Sequence, residues 1–190
     1  MKKVFLVLLG AAALGTAKAQ VQYGVKAGAN FANVIGSDAD DAKMKVGFNA
    51  GAFARFSINE SFKVQPELVY SGQGAKYDDE SLDLKLNLDY LNIPVLFQYH
   101  TNSGFFAETG PQLGFLLSAK LKADGESEDV KDSFKSTDFS WAFGAGYQFA
   151  QGFGVNARYN LGLSKIEESG EANVKNGVFQ VGLFYTFGGK

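Results

Sequence analysis

The sequence predicts an all-β protein: an eight-stranded antiparallel up-and-down transmembrane β-barrel. Three observations carry that prediction. Apolar side chains recur at every second position along most of the chain, the period of a strand with two unlike faces. The connections alternate between short and long. Each strand also places an aromatic residue at the same end. The abundance of glycine (23) and phenylalanine (18) suits sheets with close backbone approach better than a helical bundle. Beyond the N-terminus no stretch reaches the ~18 to 20 apolar residues of a helical span, which excludes a helical membrane protein.

Residues 1–19 have the form of a cleaved export signal. Lys2 and Lys3 give a positive start and Val4 to Leu14 an apolar stretch. Ala17-Lys18-Ala19 supplies a small-x-small cleavage site. Cleavage is expected before Gln20, leaving residues 20–190 as one barrel domain. Loss of three lysines would take the 18 basic residues to about 15 against 20 acidic ones, a net of about −5. Such an acidic exported chain is not a nucleic-acid binder. Cysteine is absent, which excludes disulfides, thiolate metal sites and a thiol nucleophile.

Taken in order, the first strand (about 22–33) sets Tyr23, Val25, Ala27, Ala29 and Phe31 against Gln22, Gly24, Lys26, Gly28 and Asn30. The second (46–57) sets Val46, Phe48, Ala50, Ala52, Ala54 and Phe56 against Gly47, Asn49, Gly51 and Arg55. The third sets Phe62, Val64, Leu68 and Tyr70 against Lys63, Gln65, Glu67 and Ser71. The other five cover about 84–99, 105–117, 138–149, 153–163 and 177–187. In the fourth, the apolar phase changes from Leu84, Leu86, Leu88 and Tyr90 to Leu91, Ile93, Val95, Phe97 and Tyr99. One extra residue near Tyr90–Leu91, a bulge, would produce that switch. Pro66, Pro94 and Pro111 fall inside strands of a barrel that has no edge, so bulges or rim positions are expected there.

Short turns at 57–61, 100–104 and 150–152 alternate with long polar connections at about 34–45, 74–83, 118–137 and 164–176. The long ones hold Asp38, Asp40, Asp41, Asp78, Asp79, Glu80, Glu126, Glu128, Asp129, Asp132, Glu167, Glu168 and Glu171. Short turns at one end and long loops at the other describe an outer-membrane barrel. Beside each short turn or terminus stands an apolar-phase aromatic: Tyr23, Phe56, Phe62, Tyr99, Phe105, Phe149, Phe153 and Phe187. Such a ring marks a membrane interface, where amphipathic rings favour the headgroup level. A second, looser ring is expected from Phe31, Phe48, Tyr70, Tyr90, Phe115, Phe139 or Trp141, and Phe179.

Alternation alone leaves open which face is wet, because a soluble lipocalin-like barrel also alternates. The polar phase here is mainly Gly, Asn, Gln and Ser with a few charges of both signs, which fits a narrow lumen. The apolar face then meets lipid. Lys26, Arg55, Lys63, Glu67, Glu108 and Arg158 become lumen charges that pair, since an unpaired buried charge costs several kcal/mol.

The segments QYGVKAGANFANV (22–34), VQPELVYSGQGAK (64–76), LDYLNIPVLFQY (88–99), GPQLGFLLSAK (110–120), FSWAFGAGYQF (139–149) and ARYNLGLSKI (157–166) resemble the outer-membrane β-barrel domain of the bacterial porin family and PorT-like proteins. The resemblance runs through essentially the whole mature chain, with YLNIP and GPQLG its most specific pair. It implies an eight-stranded barrel in a Gram-negative cell outer membrane, with outer-membrane lipid around it and the barrel-insertion machinery as its partner in biogenesis. It supplies no reaction, ligand or cofactor.

No catalytic or metal site is expected. His100, the only histidine, falls in the short turn HTNSG, away from the long loops, and reads as a solvated turn residue. GSDADD (36–41) lacks the spacing and closing Glu of a calcium loop. The pairs Gly72/Gly74 and Gly144/Gly146 have no following helix to cradle phosphate. The expected role is structural or surface recognition through four long acidic loops, with a largely filled lumen. A narrow diffusion pore and a soluble periplasmic lipid-binding barrel are the alternatives.

Overall fold

The computed structural model describes residues 21–37, 39, 42–79, 82–123, 126–169 and 172–188. The expected export signal, Asp38, Asp40, Asp41, Glu80 and Glu171 lie outside the described residues. The strands are β1 (Val21–Ile35), β2 (Ala42–Ser57), β3 (Phe62–Asp79), β4 (Leu82–His100), β5 (Phe105–Ala123), β6 (Glu126–Asp129), β7 (Thr137–Gln148), β8 (Phe153–Gly162) and β9 (Lys175–Phe187). Eight of them close into an antiparallel ring in the order β1-β2-β3-β4-β5-β7-β8-β9, with β9 returning to β1. β6 only extends one end of β5.

Period two becomes inside and outside. On β1, Gly24, Lys26, Asn30, Ala32 and Val34 are buried, while Tyr23, Val25 and Ala27 are exposed. On β8, Gly154, Asn156, Arg158 and Asn160 are buried, and Phe153, Val155 and Tyr159 are exposed. The polar phase lines the lumen and the apolar phase faces outward. Gly104 and Gly152 close two of the short turns at φ of 98° and 88°, a region that glycine enters without steric cost.

Four expectations are corrected. The phase switch in β4 is no bulge of that strand: Leu86, Leu88, Tyr90, Asn92, Leu96 and Gln98 are all buried, so even positions stay inward throughout. The extra residue belongs to β5, where Asp89↔Ser118 is followed by Tyr90↔Leu116. What changes along β4 is its surroundings. Near the turn end apolar residues face outward; near the loop end Leu86, Leu88 and Tyr90 join an inward apolar cluster with Val34, Ala75, Leu116, Ala119 and Ile166. Tyr90, fully buried, therefore leaves the outer aromatic ring.

The prolines sit at no register shift. Pro66 opposes Val95, Pro94 opposes Gln112 and Pro111 opposes Trp141 in unbroken register. Beside Pro66 and Pro94 the ladder omits two positions and then resumes, so a missing donor costs local pairing without an added residue. The strands also run further than expected. β3 and β4 pair out to Asp79↔Leu82, turning most of the expected 74–83 loop into hairpin, because the alternation of Ala75 and Tyr77 with Lys76 continues there. In 118–137, β5 continues to Ala123 and is followed by β6 and a short 3-10 turn, Lys131–Ser133.

Candidate functional site

Four of the six predicted lumen charges meet at one level. Lys26, Glu67, Glu108 and Arg158 come from β1, β3, β5 and β8, alternate members of the ring, so each arrives from a different quarter of the wall. An eight-stranded barrel is just narrow enough for such a layer to fill its interior. Arg158 donates from Nη1 and Nη2 to both oxygens of Glu67, each at 2.9 Å. Its Nε donates to Glu108 at 2.8 Å. Lys26 Nζ donates to Glu67 at 3.1 Å. Gln65 and Gln98 donate to Glu67 and Glu108 at 2.8 and 2.9 Å. Two cations and two carboxylates compensate each other with fork geometry, the arrangement that makes buried charge tolerable.

The other two predicted lumen residues lie apart from this layer. Arg55 bonds no carboxylate among the described residues: it donates to Gln65 and Gln148, both at 2.7 Å, with its guanidinium 5.2 Å from the Phe53 ring centre and 5.6 Å from that of Phe184. Lys63 is half-buried at the turn-end rim, and no ion pair reaches it among the described residues. His100 is not a solvated turn histidine. It is buried, hydrogen-bonded to Gln98 at 3.0 Å and stacked on Phe106 at 5.0 Å. As the last residue of β4 it keeps that strand's even, inward phase. Thr101 and Ser103 bond each other at 2.9 Å, not His100.

The sequence reading missed an aromatic layer. Phe53, Phe106 and Phe184 point inward and pack edge to face, Phe184 lying 6.1 and 5.9 Å from the other two. Each stands directly across from a lumen glycine, in the pairs Gly24↔Phe53, Phe106↔Gly146 and Gly154↔Phe184. A Cβ on Gly24 or Gly154 would fall 2.1 Å from the facing ring. Those glycines exist to admit the rings, and phenylalanine in a polar phase was the available signal. Between the charges and the aromatics the free volume is about 10 Å³, about one water's worth.

Asn30, Asn49, Ser71 and Gln180 form a connected amide and hydroxyl cluster above the charges. Asp138 accepts from Ser164 Oγ at 2.7 Å and from Asn176 at 3.0 Å. On the outside, seven members of the turn-end aromatic ring are exposed and Phe56 is half-exposed. Phe62 lies 5.2 Å from Tyr99, and Phe105, Tyr147 and Phe149 form a run with 4.8 and 5.0 Å spacings.

A family model for the outer membrane protein beta-barrel domain matches residues 15–168. The chain belongs to this family. It is an outer-membrane β-barrel protein, located in the cell outer membrane, and the soluble periplasmic alternative falls. The structure is similar to Neisserial surface protein A, at TM-score 0.58 and 20% identity, over 88% of this chain and 99% of that one. It is also similar to Ail, the attachment invasion locus protein of Yersinia pestis, at TM-score 0.50 and 22% identity over 88% and 99%. Those identities speak for the fold. No curated protein matches the sequence.

Proposed function

We propose that this outer-membrane barrel works through its external surface, in a structural or recognition role, while its lumen passes little or nothing. The observation that carries the reading is the double obstruction inside the ring. The layer of Lys26, Glu67, Glu108 and Arg158 and the layer of Phe53, Phe106 and Phe184 leave about 10 Å³ between them, too little for a hydrated ion. The eight turn-end aromatics anchor the barrel at the membrane interface. At the other end, the acidic residues Glu126, Glu128, Asp129, Asp132, Glu167 and Glu168 offer a surface for a partner. Ail sets a precedent for the fold: it is named for attachment and invasion, and one of its structures is a complex with the heparin analogue sucrose octasulfate.

His100 has no nucleophile or second base within its hydrogen bonds, so no reaction is assigned. The test is conductance of the folded barrel in planar bilayers. The expected trace is flat; steady openings of ion-channel size would replace this reading with the narrow-pore alternative.

A further inference from the structure

Three charged stretches of the long loops each carry one aromatic or branched apolar residue: Phe134 in KDSFKS (131–136), Ile166 in SKIEES (164–169) and Val174 in EANVKN (171–176). Such a residue leaves water only where its loop folds it onto something apolar. These loops do so. Ile166 is 1% exposed and belongs to the same buried cluster as the inward-facing Val34, Leu86, Leu88 and Leu116, with Phe134 and Val174 packed against that cluster. Backbone bonds tie the stretches together. Lys135 N donates to Ile166 O at 2.8 Å, Glu168 N to Ser133 O at 3.0 Å and Ile166 N to Val174 O at 3.0 Å, and Phe134 pairs with Glu167 in an isolated bridge. The loops thus form a roof over the lumen mouth.

Under this roof lies a pocket of about 170 Å³, walled by Val34 of β1, Tyr77 of β3 and Leu86 of β4 and covered by Phe134, Ile166 and Val174. Ser133 and Glu167 complete the lining among the described residues. The Glu167 carboxylate is already held, accepting from Ala172 N and Ser169 Oγ, both at 2.9 Å. Atoms around an apolar void lack contacts on one side, and a cavity of about 150 Å³ lined by Leu, Ile and Phe stays dry and takes up benzene. This pocket has room for one such ring. Its position decides where an occupant comes from. Val34 and Leu86 face into the barrel, so the strand wall separates the pocket from the acyl chains of the bilayer. A second barrel in the same membrane would meet that outer wall and not the mouth. The occupant therefore arrives from the external side. A free molecule can pass the tied roof through a local opening, whereas a side chain on a partner's backbone would have to part the loops and keep them apart.

We propose that this pocket binds a small free apolar molecule from the external side, a single aromatic ring or a branched hydrocarbon of like size. The proposal rests on the fold of the loop end and is independent of whether the lumen conducts or the acidic residues meet a partner. The test is methyl NMR of the folded barrel in nanodiscs, labelled at its four isoleucines, Ile35, Ile58, Ile93 and Ile166, and titrated with toluene. Ile166 lines the pocket, while Ile93 stands in the outward phase of β4 and reports toluene dissolved in the bilayer. The Ile166 methyl is expected to shift to saturation while Ile93 drifts with dose. Benzoate should bind at least about tenfold more weakly, because its carboxylate would lose water in an apolar site. Val174→Phe, which fills the pocket, should weaken toluene at least about tenfold, the low end for a misfit in an apolar pocket. Heat-dependent gel mobility reports folding. If Val174→Phe fails it, Val174→Ala, which enlarges the pocket, should shift preference from toluene towards isobutylbenzene by about tenfold on the same scale. No saturable shift at Ile166, an equal one in folded Val174→Phe, or an unchanged preference in Val174→Ala overturns the proposal. Equal binding of benzoate would also overturn it, since the pocket would then be wet. Tighter binding of N-acetylphenylalanine amide than of toluene would hand the pocket to a partner's side chain instead.

Discussion

Replacing Glu67 with Gln is the sharpest test of the lumen. The substitution keeps shape and removes one charge. Glu67 accepts four hydrogen bonds between 2.8 and 3.1 Å, two from Arg158 and one each from Lys26 and Gln65. An amide in its place turns one acceptor oxygen into a donor facing donors, and leaves two buried cations to share Glu108. Removing one partner of a buried pair costs about 3–5 kcal/mol. Because Arg158 keeps Glu108 at 2.8 Å, the expected loss is at the lower end, about 3 kcal/mol. The assay is urea unfolding of the liposome-folded barrel followed by the fluorescence of Trp141, the single tryptophan. A cycle with Arg158→Gln should show coupling of at least about 2 kcal/mol, since each single variant already breaks the same bonds. A loss below about 1 kcal/mol, or zero coupling, would refute the claim that this layer holds the barrel together.

Two further substitutions probe the other layers. Gly154→Ala places a methyl 2.1 Å from the tip of Phe184, whose ring is confined by Phe53, Phe106 and Arg55. The expected destabilisation is about 1–3 kcal/mol, recovered in part by Gly154→Ala with Phe184→Leu; a neutral single variant would show the ring to be loose. Asn160→Leu makes the opposite case. Neither polar atom of the buried Asn160 amide has a hydrogen-bond partner among the described residues, so the change should fall within about 1 kcal/mol of wild type in the same unfolding assay. A loss above about 2 kcal/mol would mean that Asn160 makes bonds in the membrane that hold the wall together.

Much of this protein is legible locally. Tyr23, Val25 and Ala27 announce an outward face, and Gly24, Lys26 and Gly28 an inward one, because a strand's two faces differ only in what they touch. The same rule misled at Leu84 to Tyr90. There the change of phase marks the point where lipid outside gives way to water and the lumen mouth becomes apolar, and no inserted residue on β4 is needed. His100 reads as solvated, and Phe53 goes unmarked, for a related reason: sequence position gives the phase of a side chain but not what stands across the lumen.

The sequence by itself determined the barrel, its two faces, its aromatic rim and most of the charges that had to be inside. Alternation, turn length and the cost of unpaired charge are all properties of short stretches. Which charges meet was decided only by closure of the ring. Glu67 and Arg158 are 91 residues apart and reach each other across the lumen from β3 and β8, while Lys63, in the same phase of β3 as Glu67, stays at the rim. Neighbours along the outer wall are set in the same way. Lys43, Lys76, Lys85 and Lys122 belong to four different strands, and come to oppose one another in one line only when three registers are set in succession. Register is a long-range quantity, fixed by the closure of eight strands on one another, and no local period encodes it.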